Sequence, residues 1–420
     1  MLPWFRIDRT RLTEQTIHDG PSVERIALLG ADLPGLRPKL RCGQGDRVER
    51  GQVVFHDRAH PDVVLVSPVS GVVESITLGP RRSLSALVIR SENAQHDPDP
   101  LVIAKSTPAE MRSALLAQGF WPAFLTRPFG RIPAPDAVPE AIFVTVTADN
   151  PYAPDPRVVL GDQLEMFTAG LKAMTLLTSG KVHVCQSPGA DIAAGLGARI
   201  RGSFFPAGRS SGFASTHIHH SHPVDASRSV WSIGYQDVAA IGKLVATGVH
   251  DFSRIVAFTG PRAKQPRLIR TVAGASLPDL IRHEALPGSH GSPLCVFSGS
   301  AARGRESSWL GRYHQQVSLL DDASSHGKLP ESVVMARLRR TSSQLAPLIP
   351  TTALERALAF DIPVVPLLRA LSVGDAETAK RLGCLEMVEE DLAEVSLACT
   401  SGADYGRMLR HVLDELAEDA

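Results

Sequence analysis

The segment Thr216-His217-Ile218-His219-His220-Ser221-His222 sets four histidines within six residues. On an extended strand His217 and His219 would share one face, an arrangement in which two imidazoles can ligate one metal ion. The only acidic side chain close by, Asp225, lies beyond Pro223. Spacing therefore supplies no third ligand, and no metal is assigned to the chain. The alternative is a packed, hydrogen-bonded histidine run. A little further on, Val230-Trp231-Ser232-Ile233-Gly234-Tyr235-Gln236-Asp237 gathers two aromatic rings, an amide and a carboxylate at a helix start. Trp231 and Tyr235 could wall a flat aromatic ligand such as a quinone headgroup, with Gln236 or a histidine donating to its carbonyl. His217, His219, Trp231, Tyr235, Gln236 and Asp237 are the residues that this reading brings to the ligand. The opposing reading has the rings plugging a seam between two domains and Asp237 capping the helix.

Other chemistry finds less support. Gly195-Leu196-Gly197 lacks the third glycine of a dinucleotide fingerprint, Gly202, Gly208 and Gly212 suit a loose loop, and no G-x-x-x-x-G-K-[ST] occurs. No serine sits in a G-x-S-x-G turn. Gly45-Asp46 reads as a turn, and Glu389-Glu390-Asp391 as a solvated helix start rather than paired catalytic carboxylates. No catalytic residue and no bound cofactor is assigned. Residues 45–54 and 67–73, rich in short strands with glycines at the bends, resemble the barrel-sandwich fold of biotinyl and lipoyl carriers. The tip reads Asp57-Arg58-Ala59-His60, with no lysine between Lys39 and Lys105. An arginine stays protonated and cannot carry the swinging cofactor.

The elements that would position these residues fall into four parts. Residues 1–100 hold an N-terminal extension and a barrel-sandwich domain with strands at 25–29, 51–55, 63–66, 71–73 and 86–89, ending in a polar linker at 91–100. Residues 101–253 alternate helices (108–118, 161–177, 236–244) with buried apolar strands (141–147, 181–186), which suggests a parallel sheet and a Rossmann-like α/β domain. Residues 254–322 return to strands (254–258, 267–270, 293–297) around a short helix that Ser276 caps, a β-grasp-like module. Residues 323–420 are helical, closing on a helix that Asp404 caps, with Met408, Leu409, Val412, Leu413 and Leu416 in one apolar stripe. The fold class is thus α+β and multidomain.

Composition narrows the function. Lys and Arg number 44, as do Asp and Glu, so nothing favours nucleic acid or an anionic membrane surface as partner. The N-terminus, with Pro3 and three charges in nine residues, is no secretory signal, and no apolar run is long enough to span a bilayer. Five scattered cysteines, Cys42, Cys185, Cys295, Cys384 and Cys399, form no C-x-x-C pair, as expected of reduced thiols in a cytoplasmic protein.

Several ordered motifs resemble one family, the NqrA component of the sodium-translocating NADH:quinone oxidoreductase. They include His18-Asp19-Gly20-Pro21, Gly45-Asp46-Arg47-Val48, Thr126-Arg127-Pro128-Phe129, Thr216-His217-Ile218-His219, the stretch from Trp231 to Leu244, and Gly383-Cys384-Leu385-Glu386. The resemblance implies a peripheral component on the cytoplasmic face of the bacterial inner membrane. Its partners would be the membrane subunits of the complex, chiefly the flavin-bearing B subunit. Flavins and an iron–sulfur cluster would lie on those partners, ubiquinone would be the substrate of the complex, and this chain would be a structural part with a quinone-site role. The alternative is a stand-alone soluble relative that binds a small molecule in its Rossmann-like domain.

Overall fold

The computed structural model describes residues 13–92, 107–148, 150, 152–206, 211–288, 293–321, 346–359 and 361–419. The N-terminal residues 1–9, the linker beyond Glu92, Gly208 and the expected boundary at Asp322 lie outside them. Two small antiparallel sheets form the first unit. One runs β2 (Arg25–Leu29), β8 (Leu84–Ser91), β7 (Gly71–Leu78), β4 (Arg47–Val48); the other runs β3 (Pro38–Leu40), β5 (Val53–Asp57), β6 (Val64–Val66). Gly45 and Gly51 take φ of +90° and +83°, the left-handed bends that the sequence anticipates. Val48, Val54, Phe55, Val73, Leu87 and Ile89 fill the space between the sheets. At the tip, the buried Asp57 carboxylate accepts from the backbone N–H of Arg37 (2.7 Å) and of His60 (3.0 Å). The tip is tied down by its own acidic residue.

The second unit is a five-stranded sheet in the order β12 (Ile200–Phe204), β11 (Lys181–Gln186), β10 (Ala141–Val146), β13 (Val230–Gly234), β9 (Leu125–Arg127). The first four strands are parallel and β9 is antiparallel. The predicted β10 is a nearly continuous apolar run, as a strand covered on both faces requires, and β11 buries Val182, Val184 and Cys185 between more polar positions. Three strands go beyond the sequence reading: β9 is a three-residue edge strand with no pattern of its own. β12 is too polar to stand out, and β13 carries the stretch taken for a helix start. Helix α1 (Pro108–Ala117) follows the capping box of Thr107 and Glu110 and ends before Gly119, at φ +70°. The helix expected at 161–177 opens as a 3-10 turn at Gly161–Gln163 and continues as α3 (Leu164–Met174), and the short α2 (Pro156–Leu160) before it was not anticipated. After α4 (Ala214–Ser221), α5 (Tyr235–Thr247) crosses α3 at Gly170 and Gly242. A Cβ on Gly242 would lie 1.7 Å from the Met166 carbonyl oxygen, and one on Gly170 2.0 Å from that of Val238.

A mixed six-stranded sheet makes the third unit: β1 (Glu14–Asp19), β15 (Arg267–Val272), β14 (Ser253–Thr259), β18 (Gln316–Asp321), β16 (Leu294–Ser298), β17 (Arg305–Glu306). Ser276 caps α6 (Leu277–Ile281) by accepting from the Asp279 N–H, as expected. The edge strand β1 comes from the other end of the chain and pairs parallel to β15. From Thr352 on, the regular elements are helices: α7 (Thr352–Ala357), α8 (Val364–Val373), α9 (Ala376–Arg381), α10 (Ala393–Ala398) and α11 (Tyr405–Glu418), with 3-10 turns at Cys384–Glu386 and Glu389–Leu392. Asp404 caps α11, whose Leu409, Val412 and Leu413 are buried in one cluster with Leu367, Leu368 and Leu371. The apolar stripe is internal packing.

Because backbone atoms meet at the α3–α5 crossing, a single methyl there must push the helices apart. Gly242→Ala is expected to lower the stability of the chain by about 2 kcal/mol, measured as a lower urea midpoint. An unchanged midpoint would show that the crossing is looser than described.

Candidate functional site

The histidine run forms helix α4, not a strand. Successive residues turn by about 100°, so His217 and His219 leave the helix in nearly opposite directions. The expectation of one shared face is thereby overturned. The His217 ring is buried, donates from Nε2 to the Ser211 carbonyl (2.7 Å) and lies 4.3 Å from the Phe205 ring. His219 reaches the other way and pairs through Nδ1 with Glu386, in the 3-10 turn between α9 and α10. His220 donates to the Thr216 carbonyl one turn back (2.8 Å), and His222 meets Glu140 at 3.0 Å. Four histidines thus have four separate partners. Among the described residues no three His, Cys, Asp or Glu side chains converge as a metal site would require.

Trp231 lies within strand β13, and the helix begins only at Tyr235. The Trp231 side chain has no exposed surface; its ring stands edge-on to Trp121 (5.4 Å) and tilted against Phe124 (5.3 Å). Trp121 in turn donates from Nε1 to the Pro133 carbonyl at 2.8 Å. Tyr235 is 1% exposed in the same apolar cluster. Neither ring wall is open to a flat ligand in this structure.

Gln236 and Asp237 point from the start of α5 to the third sheet. β18 pairs with β14 only from Ala257 onward, so the polar backbone groups of Ile255 need another partner. The Gln236 amide supplies it, accepting from Ile255 N and donating to Ile255 O, both at 2.9 Å. Asp237 makes no capping bond at the helix start, contrary to the sequence reading. Its carboxylate, buried like its partner, pairs with Arg254 of β14, and Arg312 stands 3.6 Å away on the same oxygen. At the third helical residue the charge also suits the α5 dipole.

Beside this contact lies a cavity of about 60 Å³ where the three units meet, lined among others by Asp32, Phe120, His250, Phe252, Arg254 and Arg312. The His250 ring is sandwiched between Phe120 (4.0 Å) and Phe252 (3.7 Å). Sequence reasoning missed this place. Its residues come from separate segments, and none belongs to a motif.

A second polar seam joins the α/β sheet to the C-terminal helices. The fully buried Arg127 guanidinium donates to Ser215 Oγ (3.1 and 3.3 Å) and to the Thr126 carbonyl (3.1 Å). Burial pushes the nearby Asp391 carboxyl up, while the Arg127 charge opposes that rise. Glu389 is held by Arg410 through two bonds of 2.5 and 2.8 Å. The expected solvated run at 389–391 is therefore corrected: Glu389 is part-buried and paired, Asp391 is buried, and only Glu390 is exposed.

Three family profiles match the chain in succession. They are described as the NqrA N-terminal barrel-sandwich hybrid domain (residues 7–92), the NqrA second alpha/beta domain (106–250) and the NQRA C-terminal domain, of SLBB type (255–308). These domains in this order, on the sheets described above, define the class of protein. Curated relatives extend the likeness over the whole chain. Proteins named as the A subunit of the Na(+)-translocating NADH-quinone reductase match from Neisseria meningitidis (38% identity over 434 residues) and Shewanella frigidimarina (39% over 436). Another, from Pasteurella multocida, is 37% identical over 433 residues. Each alignment covers 97% of this chain and 96% of the relative. The chain belongs to the NqrA family, the A subunits of the Na⁺-translocating NADH-quinone reductase.

Burial keeps several rings of the site region neutral. It pushes His183, His217 and His314 down from the ordinary 6.5 to about 4. The unfolded chain then binds more protons than the folded one between these two values, so stability is complete above pH 6.5 and falls as pH drops toward 4. Each such histidine contributes a slope of up to about 1.4 kcal/mol per pH unit. His217→Gln is expected to flatten the stability–pH curve in this window by close to one proton. An unaltered slope would mean that His217 titrates normally in the folded chain.

Proposed function

We propose that this chain is the redox-inert scaffold of a sodium-pumping NADH:quinone oxidoreductase, a peripheral component that holds the membrane subunits in register. NADH oxidation and ubiquinone reduction, coupled to sodium transport, would belong to the complex as a whole. Flavins and the iron–sulfur cluster would sit on partner subunits, and the flavin-bearing B subunit would be the chief dock, on the cytoplasmic face of the inner membrane. The observation that carries this reading is how the conspicuous polar residues are used. Gln236 and Asp237 bind β14, and His219 binds the turn before α10. These three side chains are thereby engaged within the chain itself. Among the described residues no helix is long and apolar enough to cross a membrane, which fits attachment through partners.

The finer architecture follows the same proposal. The parallel order β12-β11-β10-β13 supports a Rossmann-like layer without its phosphate loop. The mixed sheet around α6 supports a β-grasp-like module, and the helices after Thr352 a C-terminal helical domain. On this reading His219, Gln236 and Asp237 fix how the domains sit together, His217, Trp231 and Tyr235 pack the α/β unit that carries them, and the part of all six in quinone reduction is indirect.

The proposal is tested by affinity purification of the chain from its native membranes in mild detergent. Co-purification of multi-pass flavoproteins, with sodium-stimulated NADH:quinone activity in the same fraction, is expected. Recovery of the chain alone from the soluble fraction would overturn the proposal.

A further inference from the structure

The cavity at the three-unit junction has an unbalanced wall. Asp32, one of its carboxylates, is matched by Arg305 at 2.5 Å and also accepts from the Arg312 backbone N–H at 2.8 Å. The other, Asp251, is matched by Lys243 at 2.7 Å. The two lining guanidiniums, Arg254 and Arg312, share the single carboxylate of Asp237, which Arg254 holds closely and Arg312 only at 3.6 Å. One positive charge is therefore in excess. Two buried polar atoms in the same wall, Nε of Arg312 and Nδ1 of His250, have no hydrogen-bond partner. Buried groups of this kind ordinarily find one, in the protein or in a bound species. The rest of the lining is largely apolar, with Leu33, Leu65 and the Phe120 and Phe252 rings that flank His250.

We propose that this cavity binds a small oxyanion, held by the Arg312 guanidinium and the His250 ring, with its remaining atoms against the apolar wall. An arginine fork matches a carboxylate or a phosphate through paired N–H bonds. The size of the cavity sets the ligand class. About 60 Å³ gives room for roughly four ordered waters, which suits a short-chain carboxylate or inorganic phosphate and is too little for a nucleotide. The lining is drawn from all three units, so an occupied cavity would tie the barrel, the α/β sheet and the third sheet together. The inference stands on the cavity and is independent of the scaffold role proposed above.

The test is calorimetric titration of the full chain with sodium propionate and, separately, with inorganic phosphate, at constant ionic strength. Saturable binding of one of them at a single site is expected, and which one binds identifies the source of the anion. Arg312→Gln should weaken it at least tenfold, and Arg312→Lys, which keeps the charge but loses the fork, by less. A readout in the unmodified chain guards against misfolded variants. Burial first, and then the charges of Arg312, Arg254 and Arg50, push the His250 pKa well down, while Asp251 raises it. A bound anion offsets the arginines, so the pH midpoint of the His250 signals in NMR should rise on saturation. Absence of saturable binding by both anions, or a His250 midpoint that does not move at saturation, would overturn the proposal.

Discussion

Asp237 and Arg254 are two charges taken out of water at the contact between helix α5 and strand β14, and neither is tolerable there without the other. Removing one partner of such a pair typically costs about 3–5 kcal/mol, because the survivor is left buried and uncompensated. The pair therefore fixes where the third sheet lies against the α/β sheet. Gln236, one residue earlier, adds a directional lock by meeting both backbone groups of Ile255. The Trp231 and Tyr235 rings behind them supply burial that is indifferent to angle, whereas the ion pair and the amide select one angle. The junction cavity and its spare positive charge follow from this geometry, since Arg312 arrives at a carboxylate already engaged.

The same division of labour recurs at the C-terminal helices. Their own core is apolar, around Leu367, Leu371, Leu409 and Leu413, and would bury itself in any orientation relative to the sheet. Polar contacts choose among orientations: His219 with Glu386, and Arg131 with Asp414 at 2.9 Å. Arg410 adds a bond to the Phe129 carbonyl at 2.7 Å. The scaffold role proposed above would gain from such a frame, because directional contacts resist rotation between domains better than an apolar seam does. The buried histidines extend the point. They are kept neutral by the packing, so acid loosens the frame through protons that the folded state cannot take up.

Much of the fold was legible from local pattern. Glycines at 45, 51, 119 and 248 mark bends and helix ends that the backbone does make, and the segments read as buried strands at 141–146 and 181–186 lie inside the sheet. Ser276 and Asp404 cap the helices that their spacing announced. What escaped was non-local or masked by composition. The pairing of β1 with β15 joins residues about 250 positions apart, and no period in Glu14–Asp19 reveals it. β13 was taken for a helix start because Tyr235-Gln236-Asp237 carries the stronger helical signal, which pulled Trp231 into the wrong element. The i, i+2 histidines suggested a strand, yet Ile218 between them is buried within helix α4. The candidate residues were conspicuous for a real reason, since polar and aromatic groups clustered in sequence do form special contacts. Their partners, Ile255, Arg254 and Glu386, lie too far along the chain for the kind of contact to be read locally.

The central claim is that Asp237 and Arg254 act as one structural unit at the interdomain seam. A double-mutant cycle in urea unfolding, with Asp237→Asn, Arg254→Gln and the double variant, tests it most directly. The account predicts that each single substitution is strongly destabilising and that the double variant recovers a large part of the loss, giving a coupling energy of about 2–3 kcal/mol. Additive effects of the two substitutions, with coupling near zero, would contradict it.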